Sequence, residues 1–197
     1  MHKKVIISLA GICFATGLCA QQSLLNSFNH KREKINKNGI KALAVYSVSN
    51  IIYGSFAASK AEGSNKYFHE MNSIWNGITL AITGIGFLTA KKQVGLTYST
   101  SLKKQINIEK IFLFNAGLDV AYVASGAYLK EMSKTANKNP ARLEGYGQSV
   151  MLQGSVLLLF DGIMYLLQNK HGKLLDKMGE NIKLTGTGNG IGLVVKL

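Results

Sequence analysis

The sequence predicts an all-α fold: an antiparallel four-helix transmembrane bundle, preceded by a cleavable N-terminal signal and followed by a short tail patterned like a β-hairpin. Three observations predict it. Four apolar runs, at 40–59, 71–90, 111–129 and 149–167, each approach the ~20 residues that cross a hydrocarbon core as a helix. The cations stand between those runs rather than within them. Each run also carries one stripe of polar side chains at helical spacing.

Composition bounds the function classes. The 197 residues suffice for one domain with appendages, and 23 Lys and Arg stand against 10 Asp and Glu in a chain that is 47% hydrophobic. A nucleic-acid binder clusters its cations on one folded face and interleaves aromatics for single strands. Here the cations fall in the connections, as they do when long apolar spans exclude charge. The partner this implies is a lipid bilayer and not nucleic acid.

Residues 1–20 have the three parts of an export signal: a basic start at Lys3 and Lys4, an apolar stretch, and a cleavage site after Ala20. Leu18 is large for its place before the cut, so an uncleaved anchor stays open. It also stands directly before Cys19, where a lipoprotein signal wants a small residue. Cys13 and Cys19 both lie in this segment, and its removal leaves no thiol for disulfides, metal sites or nucleophilic catalysis. Residues 21–38 form a polar, basic lead-in with Leu24, Leu25, Phe28 and Ile35 on one weak helical face. An interfacial helix on anionic headgroups is one reading of it. A solvated approach to the first span is the simpler one and is preferred.

The four-helix membrane domain then occupies 39–169. Lys41 is the only charge in the first run, the second has none, and the third and fourth hold only Asp119 and Asp161. Helices of a soluble bundle would carry a charged stripe on the water side at every turn. The link at 60–70 is short and polar, with Gly63, Ser64 and Asn65, and suits an antiparallel neighbour. The link at 90–110 includes a brief strand-like run at 94–100. The third contains Pro140, the only proline, where no helix needs to continue. The basic, glycine-rich tail at 170–197 is amphipathic through Met178 and then alternates around 186–190, as a hairpin or an irregular segment would. Its glycines have the spacing of neither a dinucleotide loop nor a phosphate loop.

Two signals disagree about orientation. A cleaved signal places the mature N-terminus outside the cytoplasm, and four spans return the C-terminus to the same side. Yet the amino flank, the second loop and the tail carry 5 Lys and Arg each, against 2 and 4 in the other two loops. The excess of cations marks the cytoplasmic side. The three-part signal is the more specific pattern, so the expectation is a bacterial inner-membrane protein with its mature N-terminus extracytoplasmic.

The polar stripes supply the candidate site. They are Tyr46, Asn50, Tyr53 and Ala57 in the first run, and His69, Asn72, Asn76, Thr79 and Thr83 in the second. The third has Asn115, Asp119, Tyr122 and Gly126, and the fourth Gln153, Leu157, Asp161, Tyr165 and Gln168. Lipid cannot hydrogen-bond to such a stripe, whereas a partner helix can, so all four are expected to turn inward. An ionised carboxylate near mid-membrane costs at least ~2.5–3.5 kcal/mol, which makes Asp119 and Asp161 paired, hydrated or protonated. No cation lies near the centre of any run to pair with them. Gly54 with Ala58, Gly77, Gly84, Gly86, Gly117 and Gly154 offer small surfaces for helix contact.

Other chemistry finds little support. The Glu-x-x-His pairs of di-metal bundles are absent, as is a G-x-S-x-G nucleophile turn, so no catalytic residue, metal ligand or cofactor is assigned. Tyr67, Phe68, Tyr128 and Tyr146 are placed as interface anchors.

Three segments, KYFHEMNSIWN at 66–76, NAGLDVAYVASGAYLKE at 115–131 and RLEGYGQSVMLQGSVLLLFDGIMY at 142–165, resemble an uncharacterised family of small exported bacterial membrane proteins with four helices. The resemblance implies the same architecture and no activity. It also implies that His69, Asn72 and Asn76 belong in one constellation with Asp119 and Asp161. Two functions follow as expectations. One is binding of a small polar or cationic ligand, or a proton, in the seam by Asp119, Asp161, Asn115, Asn76, Asn72, His69, Asn50, Tyr122 and Gln153. The other is a structural or assembly role in which the seam only sets helix register, and an enzyme ranks third.

Overall fold

The computed structural model describes the backbone of residues 2–89, 93–180, 182–187 and 190–195, and the side chains of 22–89 and 93–179. Four helices run in chain order: α1 His2–Lys60, α2 Gly63–Leu88, α3 Tyr98–Ser133 and α4 Pro140–Glu180. Two short strands follow, β1 Ile182–Thr187 and β2 Gly190–Val195, paired antiparallel with Ile182 opposite Val195 and Thr187 opposite Gly190.

Local chemistry sets most of the helix ends. Gly63 takes φ 58°, in the left-handed region that costs glycine nothing, and the chain turns there between α1 and α2. Thr89 closes α2, its hydroxyl donating to the Ile85 carbonyl at 2.8 Å. Thr97 opens α3: its Oγ1 accepts the Thr100 amide at 3.3 Å, as an N-cap does. The strand-like run expected at 94–100 therefore gives way to a helix start, since the capping threonine outweighs the β-preference of its neighbours. Pro140 occupies the first position of α4, where its missing N–H would be unpaired anyway. The proline that marked a break in the sequence begins the longest stretch of α4 instead, nine residues ahead of the apolar run.

The helices outrun the apolar runs because backbone geometry, not hydropathy, decides where they stop. Residues 2–38, read as signal and lead-in, are helical and continuous with the first run. The side chains of the signal segment lie outside those described. Of the four expected spans, two are carried by helices long and apolar enough to cross a membrane, α3 and α4. The runs in α1 and α2 are diluted by Ser, Thr, Asn and Tyr.

The chain divides into two compact units, and α1, α3 and α4 contribute to both. Unit 1 comprises Met1–Lys34, Lys92–Ile108 and Gln168–Leu197. Its small apolar core is Leu25, Phe28 and Leu175, with Tyr98, Leu102 and Met178 against it. Around that core the buried groups are polar. Arg32 donates to the Ser101 carbonyl at 2.9 Å and to Gln93 Oε1 at 2.7 Å, and Asn29 donates to Ser101 Oγ at 2.9 Å. Gln105 donates to the Gln168 carbonyl at 2.7 Å. His171 stacks on Phe28 at 4.2 Å and its Nε2 lies 2.9 Å from the Phe28 carbonyl. The lead-in thus supplies a packed helix face, Leu25, Phe28, Asn29 and Arg32, rather than a solvated approach.

Unit 2 comprises Ile35–Lys91 and Glu109–Leu167 and is a helical bundle. Glycines let its helices touch. A Cβ at Gly126 would stand 2.6 Å from the Gly147 carbonyl and from the Met151 nitrogen, so α3 and α4 meet backbone to backbone. Gly154 faces the Asp119 carbonyl and Val123, and Gly145 faces Ser64 and Phe68 of α2. Gly54 sits against Ser73 and the His69 carbonyl, and Gly39 against Met164 and Phe160. Gly77, Gly84 and Gly117, also expected at contacts, face open space.

Candidate functional site

Unit 2 is polar inside and apolar outside. Asn72, Asn76, Thr79 and Thr83 are the buried residues of α2, while Ile74, Ile78, Ile82 and Ile85 on the same helix are exposed. On α3, Asp119 is 3% exposed with Phe114, Leu118 and Val120 outside; on α4, Gln153 and Asp161 are buried with Leu159, Ile163 and Leu166 outside. Only 17% and 28% of the most apolar windows of α3 and α4 are buried. A soluble bundle hides its apolar residues and exposes polar ones, so this pattern is inverted.

Two polar clusters lie within the unit. The first is a network of amides. Asn72 donates to Asn50 Oδ1 at 3.1 Å and accepts from Gln153 through its own Oδ1. Asn76 donates to the Asn72 carbonyl at 2.8 Å, and the Tyr46 hydroxyl donates to Gln153 Oε1 at 3.2 Å. Asn50 also donates to the Tyr46 carbonyl at 2.9 Å. One layer of α1, α2 and α4 is therefore tied through Asn72 and Gln153.

The second cluster is the carboxyl pair. Asp119 and Asp161 are neighbours inside the unit, with Asn115 beside Asp161. Two carboxylates are both acceptors, so a bond between them would require a shared proton. Asp119 Oδ2 is buried without a hydrogen-bond partner. Neither carboxyl has an ion pair among the described residues. The clusters adjoin at Gln153 and Gly154: the first joins the amide network and the second packs on the Asp119 carbonyl. All four helices meet at that dipeptide.

Three candidates fall outside both clusters. His69 packs edge-on to Tyr53 at 5.6 Å and to Phe68 at 5.1 Å, and its Nδ1 is buried without a partner. Its contacts are aromatic, so the single constellation implied by the resemblance separates. Tyr122 is edge-on to Trp75 at 4.9 Å. Tyr53, in the α1 stripe, is 62% exposed. Groups that sequence spacing did not single out are Ser47 and Ser149, fully buried with unpartnered hydroxyls. Among the described residues, no three His, Cys, Asp or Glu side chains come together as metal ligands would.

The sequence pattern of one family matches residues 42–162, more than half the chain. The chain belongs to the DUF6992 family, a family of unknown function. The matched segment contains every candidate residue of the seam, from Asn50 through Asp161, and stops short of Gln168 and His171 in unit 1. No curated protein and no solved structure matches the chain.

Proposed function

We propose that this DUF6992 chain is a multi-pass protein of the bacterial cell membrane, a four-span antiparallel bundle. In its seam the Asp119 and Asp161 pair holds a proton or a small cation. The observation that carries the reading is a pair of neighbouring buried carboxyls, with one unpartnered oxygen and no cationic side chain beside them, inside a bundle whose outer surface is apolar. A hydrocarbon surround makes such a pair expensive unless a proton or cation neutralises it. Asn115 and the neighbouring amides supply neutral dipoles that tolerate either occupant. Residues 1–20 act as the export signal in this reading.

The test uses purified protein in detergent, with thermal unfolding followed against pH and against added Na⁺, K⁺ or methylammonium. A ligand that binds the folded state raises its stability by mass action. Wild type is expected to respond to acid or to one of the cations, and Asp119→Asn with Asp161→Asn to respond to none. A second reading is favoured by the amide network, which links three helices whatever the carboxyls do: the seam fixes helix register in a structural protein. That reading predicts an unresponsive wild type and a double variant of equal stability.

A further inference from the structure

Unit 1 differs from unit 2 in charge. Among its described side chains Lys31, Lys34, Lys103, Lys104, Lys170, Lys173 and Lys177 are all exposed, against the acids Glu33 and Asp176. They come from three helices. On α1 and α4 they flank the buried faces, Leu25, Phe28, Asn29 and Arg32 on the one and Gln168, His171 and Leu175 on the other. The lysines therefore stand, in sequence, beside the residues that form the packed core of the unit. The same segments also expose apolar residues: Leu24 at 59%, Ile106 at 41% and Leu174 at 46%. From this collar we infer that unit 1 seats in the headgroup layer of an anionic lipid leaflet. The inference rests on the proposed membrane placement of α3 and α4 and names the lipid chemistry at one end of it.

Two features favour lipid over a nucleic acid as the anionic partner. Single-stranded binding uses aromatic side chains as stacking platforms. Phe28 and Tyr98, the Phe and Tyr among its described side chains, are instead turned to its core. Exposed leucines and an isoleucine beside lysines suit an interface where ammonium groups meet phosphates and methyl groups reach the acyl boundary. The buried hydrogen bonds of Arg32, Asn29 and Gln105 hold the three helix segments together, so the collar is presented by a folded unit rather than by a loose basic tail.

The experiment reconstitutes the full chain in nanodiscs of phosphatidylcholine alone or of phosphatidylcholine with phosphatidylglycerol. Amine acetylation rates are then read lysine by lysine by mass spectrometry. Phosphatidylglycerol is expected to slow labelling of Lys103, Lys104, Lys170 and Lys173 by about fivefold, with high salt erasing the difference. Lys138, exposed in the middle of the 131–147 link, should label alike in both discs. Replacing Lys103, Lys104, Lys170 and Lys173 with Gln is expected to remove the phosphatidylglycerol-dependent protection of Lys31, Lys34 and Lys177. Equal rates in the two discs would overturn the inference, as would protection by an oligonucleotide where anionic lipid gives none. A chain that fails to incorporate and stays soluble after alkaline extraction of membranes would instead defeat the membrane reading itself, so the two failures are distinguishable.

Discussion

Asn72 joins α1, α2 and α4 through a single side chain, donating to Asn50 and accepting from Gln153 and, at 3.4 Å, from Asn76. Interhelical hydrogen bonds in membrane proteins average only about 0.6 kcal/mol, because the separated helices also find partners. Asn72→Ala is therefore expected to lose about 1–2 kcal/mol, the sum of a few modest bonds. Steric-trap or detergent unfolding would measure it, and an effect below the value of one bond would mean that the network is not shared. His171 in unit 1 makes a different argument. Burial pushes its imidazole below the ordinary histidine range, Lys31 and Arg32 push the same way, and the bond to the Phe28 carbonyl opposes them. Neutral Nε2–H is then the donor, and Nδ1 stays unpartnered. The unfolded chain takes up a proton below ~6.5 while the folded one resists, so stability is complete above ~6.5 and falls as pH drops below it. His171→Gln is expected to flatten that acid dependence of the thermal midpoint.

Among the elements, α3 and α4 are held at a separation that glycine alone permits. A methyl at Gly126 would meet the Gly147 carbonyl and the Met151 nitrogen, both backbone atoms that cannot turn aside. Gly126→Ala is expected to force the helices apart and lose about 1–3 kcal/mol. Gly117 lies on the same helix and meets nothing within contact distance, so Gly117→Ala should gain up to about 1 kcal/mol from helix propensity alone. The opposite signs, read by unfolding of the two variants, separate contact from propensity. Spacing puts Gly126 on the inward stripe with Asn115, Asp119 and Tyr122, whereas Gly117, also read as a contact surface, lies off that stripe and its lack of a neighbour was not legible. The stripes that include Asn72 and Asn76 on one helix and Asp119 on the next were legible, since lipid leaves a buried amide or carboxyl one direction to point. Unit 1 was legible only in part: Leu25 and Phe28 of its core lie on the weak apolar face at 21–38, but Asn29, Arg32, Gln105, Gln168 and His171 are buried around them, and a search for apolar periodicity passes over polar packed positions.

At the scale of the whole molecule the charge distribution bears on orientation. In the four-span reading the links at 60–70 and 131–147 share one side of the membrane. These links carry Lys60, Lys66, Lys134, Lys138 and Arg142 beside Glu62, Glu70, Glu131 and Glu144, and four of those charges are paired off, Lys134 with Glu131 at 2.7 Å and Lys66 with Glu70 at 4.0 Å. Among the described side chains of unit 1, seven exposed lysines stand against Glu33 and Asp176. Anionic lipid on the cytoplasmic leaflet attracts flanking cations by about 1 kcal/mol each, which draws the cation-rich segments toward the cytoplasm and against the export signal at 1–20. In the proposed reading the signal prevails, so the C-terminus is expected outside the cytoplasm. Alkaline phosphatase fused after Leu197 should be active, and a fluorescent protein at the same place should stay dark. A bright fluorescent fusion with inactive phosphatase would mean that the lysines govern orientation and that residues 1–20 do not act as an export signal.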